Sequence, residues 1–156
     1  MTVFVPLTLA ETRRLRDSGS LPEAAGYSAG PALRAWLGDG RLEDEEVDYV
    51  ALNHAGVAAL TLDDSTPTRI VVAVEQEASG GDALGAVTLD RLAWTDVRSL
   101  FADEAGAGSA VLAARTAVRG LELAAALAEP TVEELQESYD LLWYAPDELD
   151  ALPVTA

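Results

Sequence analysis

The spacing of apolar residues changes period along the chain, and each change predicts a new element. Residues 3–7, Val3-Phe4-Val5-Pro6-Leu7, are β-branched, aromatic or apolar and predict a strand. Thr8 and Glu11 directly after it have the spacing of a capping box, which starts a helix that Asp17-Ser18-Gly19-Ser20 ends. A glycine-rich connector then leads to Gly30-Pro31, where proline suits the first turn of a helix over 32–37, closed by Gly38 and Gly40. Residues 43–62 carry a helical stripe of Val47, Val50, Ala51, His54, Val57 and Ala58, with acids at 43–46 complementing the helix dipole. After a turn at 63–67, residues 69–75 are apolar at almost every position, the pattern of a strand covered on both faces.

The second half reads less regularly. Residues 79–82 form a loop, 86–89 a short strand, and 97–102 a further strand with Trp94 nearby. An alanine-rich helix over 107–118 is capped by Gly120, and an acidic helical stretch from Leu121 breaks at Pro130. Thr131 and Glu134 there repeat the capping-box spacing. Leu141-Leu142-Trp143-Tyr144 predicts a last strand, and Pro146 opens a short terminal turn or helix. Two βαβ units joined by a strand pair fit this order, so the expected fold is α+β: a ferredoxin-like (split βαβ) sandwich with an elaborated helical first crossover. A chain of 156 residues can bury roughly 70% of its unfolded surface, which is enough for one domain over 1–156.

Composition narrows the chemistry. With no cysteine, disulfides, thiolate zinc sites, iron–sulfur clusters and nucleophilic thiols are excluded. No apolar run approaches the length of a membrane helix, and the first residues lack the pattern of a signal peptide, so the expectation is a cytoplasmic protein with no membrane partner. The net charge is −17, and all ten basic residues are arginine. The GC-rich codon usage that favours Ala, Gly, Arg, Asp and Val accounts for the missing lysine, with a halophilic surface as the rival explanation. Up to Arg41 five arginines face four carboxylates; beyond it five face 23. Such a field repels polyanions, and direct nucleic-acid binding is disfavoured.

At the two ends, "VFVPLTLAE" and "LLWYAPDEL" resemble an uncharacterised family of short proteins from GC-rich Gram-positive bacteria. The resemblance spans most of the chain and implies a domain of unknown function. It brings no activity, cofactor or catalytic residue, and it favours the codon-usage explanation.

Few residues invite chemistry. His54, the one histidine, is a candidate general base or proton switch with Asp63 and Asp64 as carboxylate partners; the plainer reading is a packed helix residue with one hydrogen bond. Asp63 and Asp64 are also the candidate metal ligands, although 63–66 lacks the alternating oxygens of a calcium loop. No phosphate-binding loop or serine elbow is present, and no cofactor is expected. Arg13, Arg14 and Arg16 form the one basic cluster, and helical spacing puts Arg13 and Arg16 on one face as a candidate anion site or as surface ion-pair partners. Trp143 and Tyr144 must face opposite sides of a strand. Covering by helices is the favoured reading for both, and an exposed aromatic would mark a partner surface.

These observations give no specific activity. The leading expectation is a non-enzymatic interaction or regulatory module, with a protein partner or as a homodimer, docking on its sheet or sheet edge. The alternatives are a small enzyme using carboxylates and His54, and an acidic mimic that occupies a nucleic-acid-binding protein.

Overall fold

The computed structural model describes residues 1–38 and 41–154. β1 (Thr2–Pro6) runs into α1 (Leu9–Ser18), and the predicted capping box forms in full. Glu11 N donates to Thr8 Oγ1 and Thr8 N donates to Glu11 Oε1, both at 3.0 Å. Gly19, at φ 87°, ends the helix in the left-handed conformation that glycine reaches without a Cβ penalty. Where the sequence suggests only a connector, the chain makes β2 (Ser20–Leu21) and β3 (Ala24–Tyr27). α2 (Pro31–Leu37) begins at the expected proline and closes at Gly38; the closing role expected of Gly40 lies outside the described residues. α3 (Asp44–Leu60) and β4 (Ile70–Glu75) follow as predicted. Next come β5 (Ala86–Leu89), β6 (Leu92–Ala93) and β7 (Val97–Asp103), then α4 (Gly108–Val118), α5 (Leu123–Leu127) and α6 (Pro130–Ser138), and finally β8 (Leu141–Tyr144) with a 3₁₀ turn over Pro146–Ala151.

The main sheet has the order β5-β3-β1-β4-β7-β8 with every pairing antiparallel; β2 and β6 form a separate ribbon. The protein is therefore α+β. One split crossover is present, since β3 and β4 are parallel to each other with β1 between them and α2 and α3 connecting them. The second half departs from the ferredoxin-like expectation: α4, α5 and α6 return the chain to β8 directly beside β7, so no strand separates that pair. The helical break at Pro130 also works differently from expectation. Glu129 is the N-cap and Pro130 opens α6, leaving Thr131 inside the first turn with no capping role.

Strand periodicity divides the core. Val3 and Val5 of β1 and Ile70, Val72 and Val74 of β4 point to one side, where Leu15 of α1, Leu89, Leu92, Leu149 and Leu152 cover them. Phe4, Val71 and Ala73 point to the other, against Leu33 of α2 and Val47, Ala51 and Ala55 of α3. The C-terminal half of α3 is buried on every side because Val57 and Leu60 also join Val111, Val118, Val132 and Leu135 in a helical cluster with α4 and α6. Among the described residues no helix is long and apolar enough to cross a membrane.

Gly26 shows why an Ala-Ala-Gly-Tyr segment can be a strand here. A Cβ at this position would lie 2.5 Å from Val3 Cγ1 and 3.1 Å from the Phe4 carbonyl oxygen, so only glycine lets β3 come this close to β1. Gly26→Ala should lower the urea midpoint of unfolding by the equivalent of about 1–3 kcal/mol, the usual cost of forcing atoms into a packed core. An unchanged midpoint would show that the two strands do not meet this closely.

Candidate functional site

β8 is the last strand of the sheet, and its outward edge makes no backbone hydrogen bond among the described residues. The opposite edge is closed. There Ser79 bridges to Thr88 of β5, with N–H to carbonyl distances of 3.0 and 2.9 Å in the two directions. Natural sheets blunt their edges with proline, charge or a covering segment. β8 reads Leu-Leu-Trp-Tyr and has none of these within it.

Beside this edge lies a cleft of about 370 Å³ between α3, the end of α6 and β8. Tyr49, Leu52 and Asn53 reach it from successive positions on one face of α3, and Gln136, Tyr139 and Asp140 close the far wall. Register explains the floor. β7 and β8 pair with Phe101 opposite Trp143 and Asp103 opposite Leu141, while β4 and β7 pair with Val71 opposite Phe101 and Ile70 opposite Ala102. Continuing that register sets Arg69 against Asp103 on the face that carries Leu141 and Trp143. Gly56 leaves room for this arrangement: a Cβ there would come within 2.9 Å of Leu141 Cδ1 and 3.6 Å of Arg69 Nη1.

Arg69 is 2% exposed and Asp103 1%. Asp103 accepts from Arg69 Nη2 at 2.6 Å, from Nε at 3.1 Å to each oxygen, and from the Arg69 backbone N at 2.7 Å. Nη1 makes no hydrogen bond among the described residues, and Arg69 lines the cleft. The charge of the guanidinium is balanced by its partner.

A second buried arginine secures the approach to this strand. Arg115 of α4 donates to three carbonyls, Ala59 at 2.8 Å, Thr68 at 2.8 Å and Thr66 at 3.0 Å, with Asp64 3.8 Å away. Burial depresses its pKa, and the Asp64 carboxylate opposes that effect. The connection from α3 to β4 is thereby fixed at several points, and the place where Arg69 enters the sheet is fixed with it. Neither buried arginine stands out in sequence. The available signal is an opposite-charge pair at the ends of two apolar strands, which becomes legible only once their register is known.

The sequence-derived candidates are dispersed. His54, 4% exposed, lies within α3, where Nδ1 donates to the Leu84 carbonyl at 2.8 Å and the ring meets Trp36 edge-on at 5.5 Å between centroids. This is the packed arrangement with one hydrogen bond. Asp64 accepts from Thr66 N and Oγ1 at 3.0 and 2.8 Å in the turn after α3, and Asp63 is beside it in a separate groove with Arg115 and Arg119. No group of three metal-ligating side chains gathers among the described residues. Arg16 pairs with Asp17 at 2.9 Å and Asp150 at 3.0 Å, tying α1 to the C-terminal turn, while Arg13 and Arg14 are exposed. Of these candidates only Trp143 reaches the cleft. Tyr144 packs partly against the core, but Trp143 is 61% exposed, because the packing of α3 on β8 reaches Leu141 and leaves Trp143 at the cleft. The expectation that helices cover both rings is corrected on this point.

The geometry defines a domain with one closed and one open sheet edge, the open edge bordered by an aromatic-walled cleft. The chain matches the profile of a family of unknown function, DUF6912, over residues 1–152, and it belongs to that family. No curated protein and no solved structure matches it.

Two measurements check this description. Asp103→Ala leaves Arg69 buried without its partner and should cost about 3–5 kcal/mol in chemical unfolding, whereas Arg69→Met combined with Asp103→Leu should cost far less. Burial lowers the pKa of His54 below its ordinary 6.5. The unfolded chain therefore takes up a proton near pH 6.5 that the folded chain refuses, and this contribution to stability is lost as pH falls below that value. His54→Gln should flatten the pH dependence of the unfolding free energy between about 6.5 and 5 relative to wild type; parallel curves would contradict a buried neutral imidazole.

Proposed function

We propose that the protein is a non-enzymatic interaction module that docks a partner along the open edge of β8 and into the adjoining cleft. The observation that carries this reading is Trp143. It is a large aromatic side chain, mostly exposed, on an unpaired edge strand, and Tyr49, 58% exposed, faces the same cleft from α3. Exposed aromatics beside a concave surface are the usual anchors of protein recognition, and an unpaired strand supplies main-chain donors and acceptors without further rearrangement. The buried Arg69 and Asp103 pair beneath gives the surface a fixed floor.

Catalysis has less support. An enzyme using His54 needs the imidazole in a cleft with two or more carboxylates, and the partners of His54 are a backbone carbonyl and an indole. Self-association through β8 is opposed by charge. From Leu121 to the C-terminus the sequence has nine carboxylates and no basic residue, so two copies meeting edge to edge would bring like charges together.

A photo-crosslinking amino acid at position 142 tests the docking reading in cells that express the protein from its native locus. A discrete protein adduct is expected there, suppressed by Trp143→Ala and absent when the crosslinker stands at Leu112, which is exposed on α4 away from the edge. Because the Trp143 side chain is mostly solvated, Trp143→Ala should change folding stability by less than about 0.5 kcal/mol. Equal adduct yield with and without Trp143 would rule out the docking surface.

A further inference from the structure

We infer that the occupant of the β8 edge is an extended peptide segment of net positive charge, added to the sheet as a seventh strand. This rests on the docking reading above and specifies the chemistry of the partner. Three independent features of the site bear on it.

The first is backbone geometry. In an antiparallel edge strand, alternate residues turn their N–H and C=O groups outward, so the four residues of β8 present two residues' worth of unpaired polar backbone beside Trp143. An extended chain satisfies those groups, and a helix or a small molecule does not. The second is Arg69. Its side chain is almost wholly buried at the floor of the cleft, and its charge is balanced by Asp103. A charge-neutral pair presents no net cation to the cleft, so the floor does not repel a basic side chain. An anionic group would gain little from it and would meet Asp140, which also lines the cleft.

The third is the field around the strand. β8 is flanked on the chain by α6, with Glu133, Glu134 and Glu137, and by the terminal 3₁₀ turn, with Asp147 and Glu148 beside the Asp150 that Arg16 neutralises; no basic residue occurs after Arg119. Such a surface accelerates the approach of a cationic segment and rejects an acidic one. In a β-strand alternate side chains face one side, so every second residue of the added strand is directed to the cleft side, where Trp143 and Tyr49 offer apolar faces. The residues between them remain free to be basic. The indole and phenol also favour arginine near the rim through cation–π contact.

The test uses the full-length protein and a fluorescein-labelled, end-blocked octapeptide of alternating arginine and valine, followed by anisotropy at physiological salt. Saturable binding of one peptide per chain is expected. It should weaken about tenfold or more with Trp143→Ala, and by a similar factor when alternate amides of the peptide are N-methylated, because the ladder can no longer form. Asp140→Asn should weaken it about threefold, and Asp90→Asn beyond the opposite edge should leave it unchanged. The matching glutamate and valine peptide should bind about tenfold more weakly or not at all.

If the glutamate peptide binds as tightly as the arginine peptide, with the same dependence on Trp143 and on N-methylation, the charge inference fails and the docking reading stands. If neither peptide shows binding that depends on Trp143, both fail. Binding of the arginine peptide that ignores Trp143, N-methylation and Asp140 is adhesion to an acidic surface, and it overturns the inference.

Discussion

The bidentate contact between Arg69 and Asp103 governs more of this structure than any single apolar cluster. It joins the entry to β4 with the exit from β7, two strands far apart in sequence, at the corner of the sheet where β8 is added. A buried charge is tolerated only when its partner is held in place, so each group fixes the other's backbone. Asp103 also accepts the Arg69 amide, which makes the contact one of strand alignment as well as of charge. Arg115 then ties the end of α3 to the loop that follows it through three carbonyls. A one-residue slip of β4 against β7 would exchange the two faces of the core and separate both charges from their partners, so the polar contacts and the apolar alternation enforce the same register.

From that corner the functional surface follows. With β7 fixed, β8 pairs so that Leu141 lies opposite Asp103 and Trp143 opposite Phe101. Phe101 and Leu141 pack against the cluster that α3 covers, whereas Trp143 lies at the cleft and its indole is left largely in solvent near the floor that holds Arg69. The other edge ends differently, with Ser79 folding back onto Thr88. This asymmetry, one edge closed and one open with aromatic and apolar side chains, is the main structural reason to place recognition at β8. On the docking proposal, the acidity of the C-terminal third would select partners and oppose self-pairing.

Local elements were largely legible. The Thr8 and Glu11 capping box, the proline that opens α2, the acidic start of α3 and the wholly apolar β4 depend on neighbours within a few residues, and sequence periodicity reports such neighbours directly. β3 was not legible, because Ala-Ala-Gly-Tyr has weak strand propensity and becomes a strand only where the missing Cβ of Gly26 admits Val3 and Phe4. Thr131 carried a capping signal that Pro130 overrode by starting the helix two residues earlier. The site was legible only in part: Trp143 was a candidate, but Tyr49 and Arg69 had no signal of their own.

By itself the sequence determined the types of most elements, the charge asymmetry about Arg41 and the absence of thiol chemistry, since these depend on composition or on spacing along one element. The tertiary structure decided strand order, the pairing of Arg69 with Asp103, the exposure of Trp143 and the open edge of β8. Each of these depends on which distant segment lies alongside, a choice made by the summed burial and pairing of the whole chain that no local pattern of residues encodes.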